Sequence, residues 1–184
     1  MAGIENKVGD VVYFGTDNGQ RIEWKVISIR DRMALIISSN CIGIKPYHEI
    51  GGDITWADCT LRKWLNNEFI DEYFTPEEQA KILPRKIYNG KNPHYNTPGG
   101  IPTTDKAFLL SIKEAKKLFA DYPVAELPLR ANNSWWWLRS PGAYPYGAAF
   151  VYDDGFVDKQ GSRVDQLMGV RPALWLDLNS SDEN

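Results

Sequence analysis

Cysteine and histidine are scarce in this 184-residue chain: Cys41, Cys59, His48 and His94 are all there are. Two cysteines do not build a disulfide scaffold, although a single bridge stays open. No Cys-x-x-Cys or His-x-x-x-His pair occurs, and the spacing of the four residues fits no zinc pattern. A metal centre or a Cys/His nucleophile assembled from them with Asp58 therefore has little behind it, and structural or surface roles are the stronger reading. Charge of one sign is lacking too: 21 basic against 24 acidic residues leave a net charge of −3. Neither nucleic acid nor an acidic membrane is an obvious partner for that balance. No apolar run is long enough to span a bilayer, and Met1 to Lys7 lack the apolar stretch of a signal peptide. The expectation is no membrane insertion, in a chain that is cytoplasmic, phage-particle-associated or a trimmed surface-protein domain. Internal repeats and domain boundaries are missing as well, so residues 1–178 read as one domain and 179–184 as a frayed, disordered tail.

What is abundant is apolar and aromatic. Apolar residues make up 43% of the chain, enough for a sizeable core, and seven tryptophans suit both a β-rich interior and a sticky surface. The first third reads as strands. Val11 to Phe14 is a short apolar run, Ile22, Trp24 and Val26 alternate with Glu23 and Lys25, and 34–38 is a short buried strand after a turn at Asp31-Arg32. Together they predict an antiparallel hairpin or meander. Helical signals follow. Leu61, Trp64, Leu65 and Phe69 have helical spacing, with Thr60 as the expected cap. Thr75-Pro76-Glu77-Glu78 is a capping box with proline at the first helical position, and Ser111 to Glu114 repeats the box ahead of Ala115, Leu118 and Phe119. Residues 84–104 between them are rich in Pro, Gly and Asn, and are long for a loop without a function or a core to cover.

The last third carries the most information. Two rigid blocks, WWWLRSPG at 135–142 and GVRPALWL at 169–176, bracket a polar and aromatic segment at 143–168. The brackets read as core strands, and Val170, Leu174 and Leu176 are expected to share one face. Pro172 cannot donate to a ladder and belongs at a strand start, edge or bulge. Three consecutive tryptophans cannot all share one surface of a strand, so a sugar-stacking platform is less favoured than a core role for at least one side. Trp136, Arg139, Arg171 and Trp175 are accordingly expected to be structural, the arginines tying backbone carbonyls or a carboxylate. The bracketed segment reads as surface. Asp154-Gly155 signals a hairpin turn, with Val151, Val157 and Val164 as inward anchors. The run Asp153-Asp154-Gly155 with Asp158 lacks the ligand pattern of a calcium loop. Tyr144, Tyr146, Tyr152, Phe156 and Arg163 are dense in this short stretch, and Tyr and Arg dominate binding hot spots.

The WWLRSPG and GVRPAL blocks resemble those of a bacterial family of domains of unknown function. Ile22 to Ile27, Trp56 with Leu61 to Asn66, and Asp105 to Ser111 match the same family's habit, so the likeness covers most of the chain. The closing block also resembles the ending of C-type-lectin-like domains, a superfamily that includes formylglycine-generating sulfatase-modifying enzymes and the variable proteins of diversity-generating retroelements. This resemblance implies an α+β, C-type-lectin-like fold: small antiparallel or mixed sheets, two to three helices, and long loops that display a ligand surface.

The resemblance also frames function. Variable proteins diversify asparagine codons into codons ending in C. Tyr144, Tyr146, Tyr152, Asp153, Phe156, Asp158, Ser162, Arg163, Asp165 and Leu167 all fit such codons, whereas Lys159, Gln160, Gln166 and Met168 would have to be invariant. Those ten are the expected ligand-binding residues. The sulfatase-modifying relatives use reactive cysteines in their C-terminal part, and this chain has none after Cys59. The calcium-dependent sugar motifs of the lectins (Glu-Pro-Asn, Gln-Pro-Asp, Trp-Asn-Asp) are absent too. The expectation is a non-enzymatic module that needs no cofactor or metal and binds a protein through 143–168. A carbohydrate-binding lectin-like domain, or an enzyme using loop 84–104 with His94, Asp105 or Cys59, are the alternatives.

Overall fold

The computed structural model describes residues 7–121 and 134–178. Readings that concern residues 1–6 and the 179–184 tail lie outside the described residues. The chain starts with the expected meander: β1 (Val11–Asp17), β2 (Gln20–Arg30) and β3 (Met33–Ser38) pair antiparallel. Asp31 and Arg32 make the β2–β3 turn at φ 47° and 61°. The alternation in β2 buries Ile22, Trp24 and Val26 on one face, and Trp24 donates its ring N–H to the Phe14 carbonyl at 2.6 Å. After β4 (Gly43–Pro46) come three short helices, α1 (Thr60–Asn66), α2 (Glu68–Tyr73) and α3 (Pro76–Lys81).

The Leu61-to-Phe69 spacing suggested one helix, but the chain breaks at Asn67 (φ −123°, ψ −90°) into α1 and α2. The α1 cap is also one residue earlier than expected. Cys59, not Thr60, is the cap, and its Sγ accepts from Arg62 N at 3.4 Å. The Thr75 box forms as the sequence indicates: Thr75 Oγ1 accepts from Glu78 N at 3.2 Å, and Glu78 Oε2 accepts from Thr75 N at 3.1 Å. The Ser111 box, with Glu114 Oε2 accepting from Ser111 N at 2.7 Å, opens α4 (Ile112–Asp121). Residues 84–104 are not one loop, because β5 (Arg85–Ile87) and β6 (Thr103–Asp105) close it as a two-stranded ladder.

The remaining strands are β7 (Ala107–Phe108), β8 (Trp136–Pro141), β9 (Gly147–Val151), β10 (Val157–Arg163), β11 (Leu167–Val170) and β12 (Ala173–Asp177). They complete two five-stranded sheets, ordered β1-β2-β3-β12-β7 and β10-β9-β8-β11-β4. The first is antiparallel throughout, and the second is mixed through the parallel β11–β8 pair. The molecule is α+β, with small sheets, a few short helices and long connections.

The closing block does not form one strand. It leaves the second sheet after Val170 and enters the first at Ala173, so Val170 does not share a face with Leu174 and Leu176. Pro172, lacking an N–H, sits at this crossing, where its carbonyl accepts from Ser38 N at 3.0 Å. Arg171 beside it is almost wholly buried. It donates Nε to the Ser38 carbonyl at 2.8 Å and Nη2 to the Ser39 carbonyl at 3.3 Å, with its guanidinium 5.2 Å from the Trp136 ring centre. Burial pulls its pKa down to about 10, against a smaller upward pull from the Cys41 thiol.

Both faces of β8 are covered, so the neighbours Trp136 and Trp137 are buried together and only Trp135 emerges. Trp137 donates its ring N–H to the Lys45 carbonyl at 3.0 Å, while that of Trp136 finds no acceptor among the described residues. Strand β9 is buried along its whole length, which corrects the expectation that all of 143–168 is surface. The small side chains of Gly147, Ala148 and Ala149 carry no hydrophobic pattern, yet β9 lies between β8 and β10 with both faces packed.

Candidate binding surface

The turn from β8 to β9 is the centre of the site. Gly142 N donates to the Gly147 carbonyl at 2.8 Å, Gly147 N to the Tyr144 carbonyl at 3.0 Å, and Ala143 N to the Gln160 carbonyl at 2.7 Å. Backbone bonds therefore fix the turn while its side chains project outward. Tyr144 and Tyr146 stack face to face, with ring centres 5.2 Å apart and planes 3° apart. They remain 56% and 44% exposed, so the pair is displayed and not buried.

Two further loops are held against this turn. Asn92, fully buried, donates Nδ2 to the carbonyls of Pro141 and Lys159, each at 2.8 Å, and its Oδ1 accepts from His94 N and Tyr95 N at 2.9 and 3.1 Å. Asn89 donates to the carbonyls of Gly99 at 2.8 Å and Arg139 at 3.0 Å. Thr97 Oγ1 donates to the Ala143 carbonyl at 2.9 Å. The 47–56 segment joins through Ile54 N, which donates to the Pro145 carbonyl at 3.1 Å. Buried side chains bonded to carbonyls order these loops more strongly than their Gly and Pro content suggests. Each loop then leaves apolar groups in water: Ile50 is 73% exposed and Ile101 69%, with Tyr95 also exposed. The sequence reading missed these three. The available signal for the two isoleucines was a neighbouring glycine pair, in Ile50-Gly51-Gly52 and Gly99-Gly100-Ile101, and Tyr95 had none.

The ten expected residues do not form one patch. Tyr144, Tyr146, Ser162 and Arg163 lie at the turn end, where Ser162 and Arg163 face Ala148 and Gly147. Asp165 is close by, bound twice by Arg163, with its Oδ2 2.6 Å from Nη2. That hydrogen bond and charge hold the Asp165 carboxyl below the ordinary value, and the two charges satisfy each other. Leu167 is exposed on β11 opposite Pro46.

Tyr152, Asp153, Phe156 and Asp158 are at the other end of β9, five residues away, a separation of roughly 15 Å at strand rise. There the Tyr152 ring meets Trp135 at 4.7 Å, Phe150 at 4.8 Å and Phe156 at 6.0 Å. Its hydroxyl donates to Asp158 at 3.1 Å, and the other Asp158 oxygen accepts from Gly161 N at 3.0 Å. Tyr152 and Asp158 thus help to hold the β9–β10 hairpin. The turn itself is a three-residue one: Gly155 N donates to the Tyr152 carbonyl at 3.0 Å and Tyr152 N to the Phe156 carbonyl at 2.9 Å. Gly155 has φ +88°, and Asp154 stays at negative φ.

A family model described as Domain of unknown function (DUF6273) matches residues 31–178. The chain belongs to this family. No curated protein and no solved structure matches it. The family match takes in every element of the surface just described, from the 47–56 loop to β11, and leaves out β1 and β2.

Within this family domain the groups weighed for chemistry are dispersed into structural duties. Cys41 and Cys59 are both free thiols. Burial pushes the Cys59 thiol up to about 12, which keeps it protonated at neutral pH. Asp105 is buried, accepting from Trp56 Nε1 at 2.9 Å, Arg62 Nε at 2.7 Å and Thr103 Oγ1 at 2.7 Å. His48 Nδ1 accepts from Thr60 N at 3.2 Å, and His94 packs edge-on against Tyr95. Among the described residues no group of three or more His, Cys, Asp and Glu is placed to hold a metal ion. Arg139 is buried and ties the Leu109 carbonyl at 2.7 Å to the Glu114 carboxylate. Trp175 is partly exposed, with the Arg85 guanidinium 5.7 Å above its ring.

Proposed function

We propose that this domain is a non-enzymatic binding module that takes a protein partner on the three-loop face centred on Tyr144 and Tyr146. The observation that carries the reading is the displayed tyrosine stack on a turn fixed by backbone bonds. Large, pre-ordered aromatic side chains lose little entropy on binding and bury much area. Ile50, Ile101 and Tyr95 are exposed on the loops bonded to this turn, and exposed apolar patches mark interaction sites more often than chance. The fold reading that goes with it is a C-type-lectin-like frame, in which the closing block stitches two sheets together and leaves the loops free to vary.

Diversification of the segment belongs to the same proposal. Tyr144, Tyr146, Ser162, Arg163, Asp165 and Leu167 are the positions where change costs the fold least. Tyr152 and Asp158 brace a hairpin, so they are poorer candidates for variation than their codons suggest. An adjacent reverse transcriptase with a near-identical template repeat in the native locus is the expected signature, and a locus with neither removes the idea.

The binding reading is tested by selecting random-sequence peptides against the immobilised domain. Independently selected peptides should compete with one another and lose roughly a hundredfold in affinity on the Tyr144→Ala/Tyr146→Ala variant. Peptides that scatter over other faces and bind the variant unchanged would overturn it. Strong glycan-array signals abolished by the same variant would move the face to the carbohydrate alternative.

A further inference from the structure

Away from the loop face, a cavity of about 410 Å³ opens between the first sheet, β5 and α4. Its apolar wall is supplied by Leu35, Ile87, Phe108, Leu110, Leu118 and Trp175. Four exposed cations, Arg30, Arg85, Lys86 and Lys117, also line it. Arg30, Arg85 and Lys86 make no ion pair with a described residue. Arg85 and Lys86 instead lie over aromatic rings, at 5.7 Å from Trp175 and 5.4 Å from Tyr88. Arg139, almost wholly buried, also lines the cavity, and its Nε–H has no acceptor among the described residues. Glu114, the one carboxylate of the lining among the described residues, is already engaged by Arg139.

Two irregular strands shape this space. In β2 the pairing steps from Val26–Ile36 to Ser28–Leu35, so Ile27 is an extra residue. The consecutive residues Ile27 and Ser28 consequently both line the cavity, which a regular strand does not allow. In β8 the ladder to β9 is interrupted between Trp137 and Pro141, and Arg139 N turns to the Leu110 carbonyl at 2.9 Å. Bulges of this kind re-aim side chains beside binding sites. An unpaired buried N–H carries a desolvation cost that an incoming acceptor would relieve. The volume is within the range of small-molecule sites.

We propose that this cavity is a binding site for a small amphipathic organic anion, with its apolar body against the Phe108–Leu118 wall and its carboxylate or phosphate monoester among Arg139, Arg85 and Lys86. The site is separate from the loop face, and the two can be lost independently. The test is calorimetry on the intact chain with three probes sharing one tail: octanoate, octyl phosphate and octan-1-ol. At least one anion should bind with one-to-one stoichiometry and about tenfold or more tighter than the alcohol. Which anion wins identifies the headgroup. The exposed double variant Arg85→Glu/Lys86→Glu should weaken the anion by about tenfold and leave the alcohol unchanged. Ser28→Trp, which fills the cavity at the bulge, should abolish binding of all three. Absence of saturable anion binding, equal affinity for the alcohol, or indifference to the charge reversal would each overturn the proposal. The charge-reversal arm stands even if Ser28→Trp fails to fold.

Discussion

The loop face and the cavity are built from the same strand by opposite means. At its far end β8 delivers Pro141 and Gly142 to a turn whose side chains are pushed into water, and buried asparagines hold the backbone from behind. In its middle, β8 breaks its ladder and sends Arg139 inward to Glu114 and the Leu109 carbonyl. The first arrangement displays stacked aromatic rings, with Arg163 and Asp165 paired beside them. The second is concave and lined by cations, of which Arg30, Arg85 and Lys86 have no ion-pair partner among the described residues. An exposed aromatic face suits a macromolecule, and a concave cationic one suits a small ligand. The difference also predicts where substitutions damage the fold: the cavity wall is core, and the loop face is not.

The sharpest way to break that contrast is at Arg139. Arg139→Met removes a buried guanidinium and strands the Leu109 carbonyl and the Glu114 carboxylate, so urea denaturation should show a loss of roughly 3 kcal/mol. A loss near zero would mean the cavity is not anchored through β8. Next is Gly161→Ala, at the β10 irregularity that supports the turn. Gly161 has φ +78°, and a Cβ there would lie 2.4 Å from the Ala148 carbonyl oxygen. The expected cost is about 2 kcal/mol, read as a lowered melting temperature.

A smaller effect is expected from acid. Burial by itself pushes the Glu114 carboxyl up, but the charge and hydrogen bond of Arg139, with Ser111, outweigh it and hold it below its ordinary 4.5. A carboxylate whose folded pKa is depressed contributes stability above its unfolded value, and that stability is lost as pH falls through the folded one. Stability should therefore decline as pH drops below 4.5, and the decline should be shallower in Glu114→Gln. Equal slopes in urea titrations of the two proteins would show that Glu114 is not part of the anchor. Smallest is Tyr144→Ala/Tyr146→Ala, which should shift stability by less than about 0.5 kcal/mol. A large fall in melting temperature would turn the loop face into core and erase the comparison.

Sequence legibility follows the range of the interactions involved. The boxes at Thr75 and Ser111, the meander turn at Asp31-Arg32, the inward valines 151, 157 and 164, and the buried roles of Trp136, Arg139 and Arg171 depend on neighbours or on one strand's alternation, and they were readable. The helix break at Asn67 was not, because the apolar spacing continues across it. Nor was the burial of β9, whose glycine and alanines give no pattern to read. The candidate surface was half legible. The tyrosines stood out by density, but Ile50, Tyr95 and Ile101 sit in stretches that look like ordinary loop. The cavity was wholly illegible, since its walls come from seven segments between Ile27 and Trp175.

By itself the sequence determined the local devices: caps, turns, alternating strands, and a terminal block rigid enough to be a frame. Those depend on bonds between residues a few positions apart, and composition sets them. Tertiary structure alone decided that the closing block crosses between two sheets at Pro172, that Tyr144 and Tyr152 face opposite ends of one buried strand, and that an arginine from β8 meets a bulge from β2 across a cavity. Each depends on which strands become neighbours, and pairing between distant segments is chosen by the packing of the whole core, which no local pattern records.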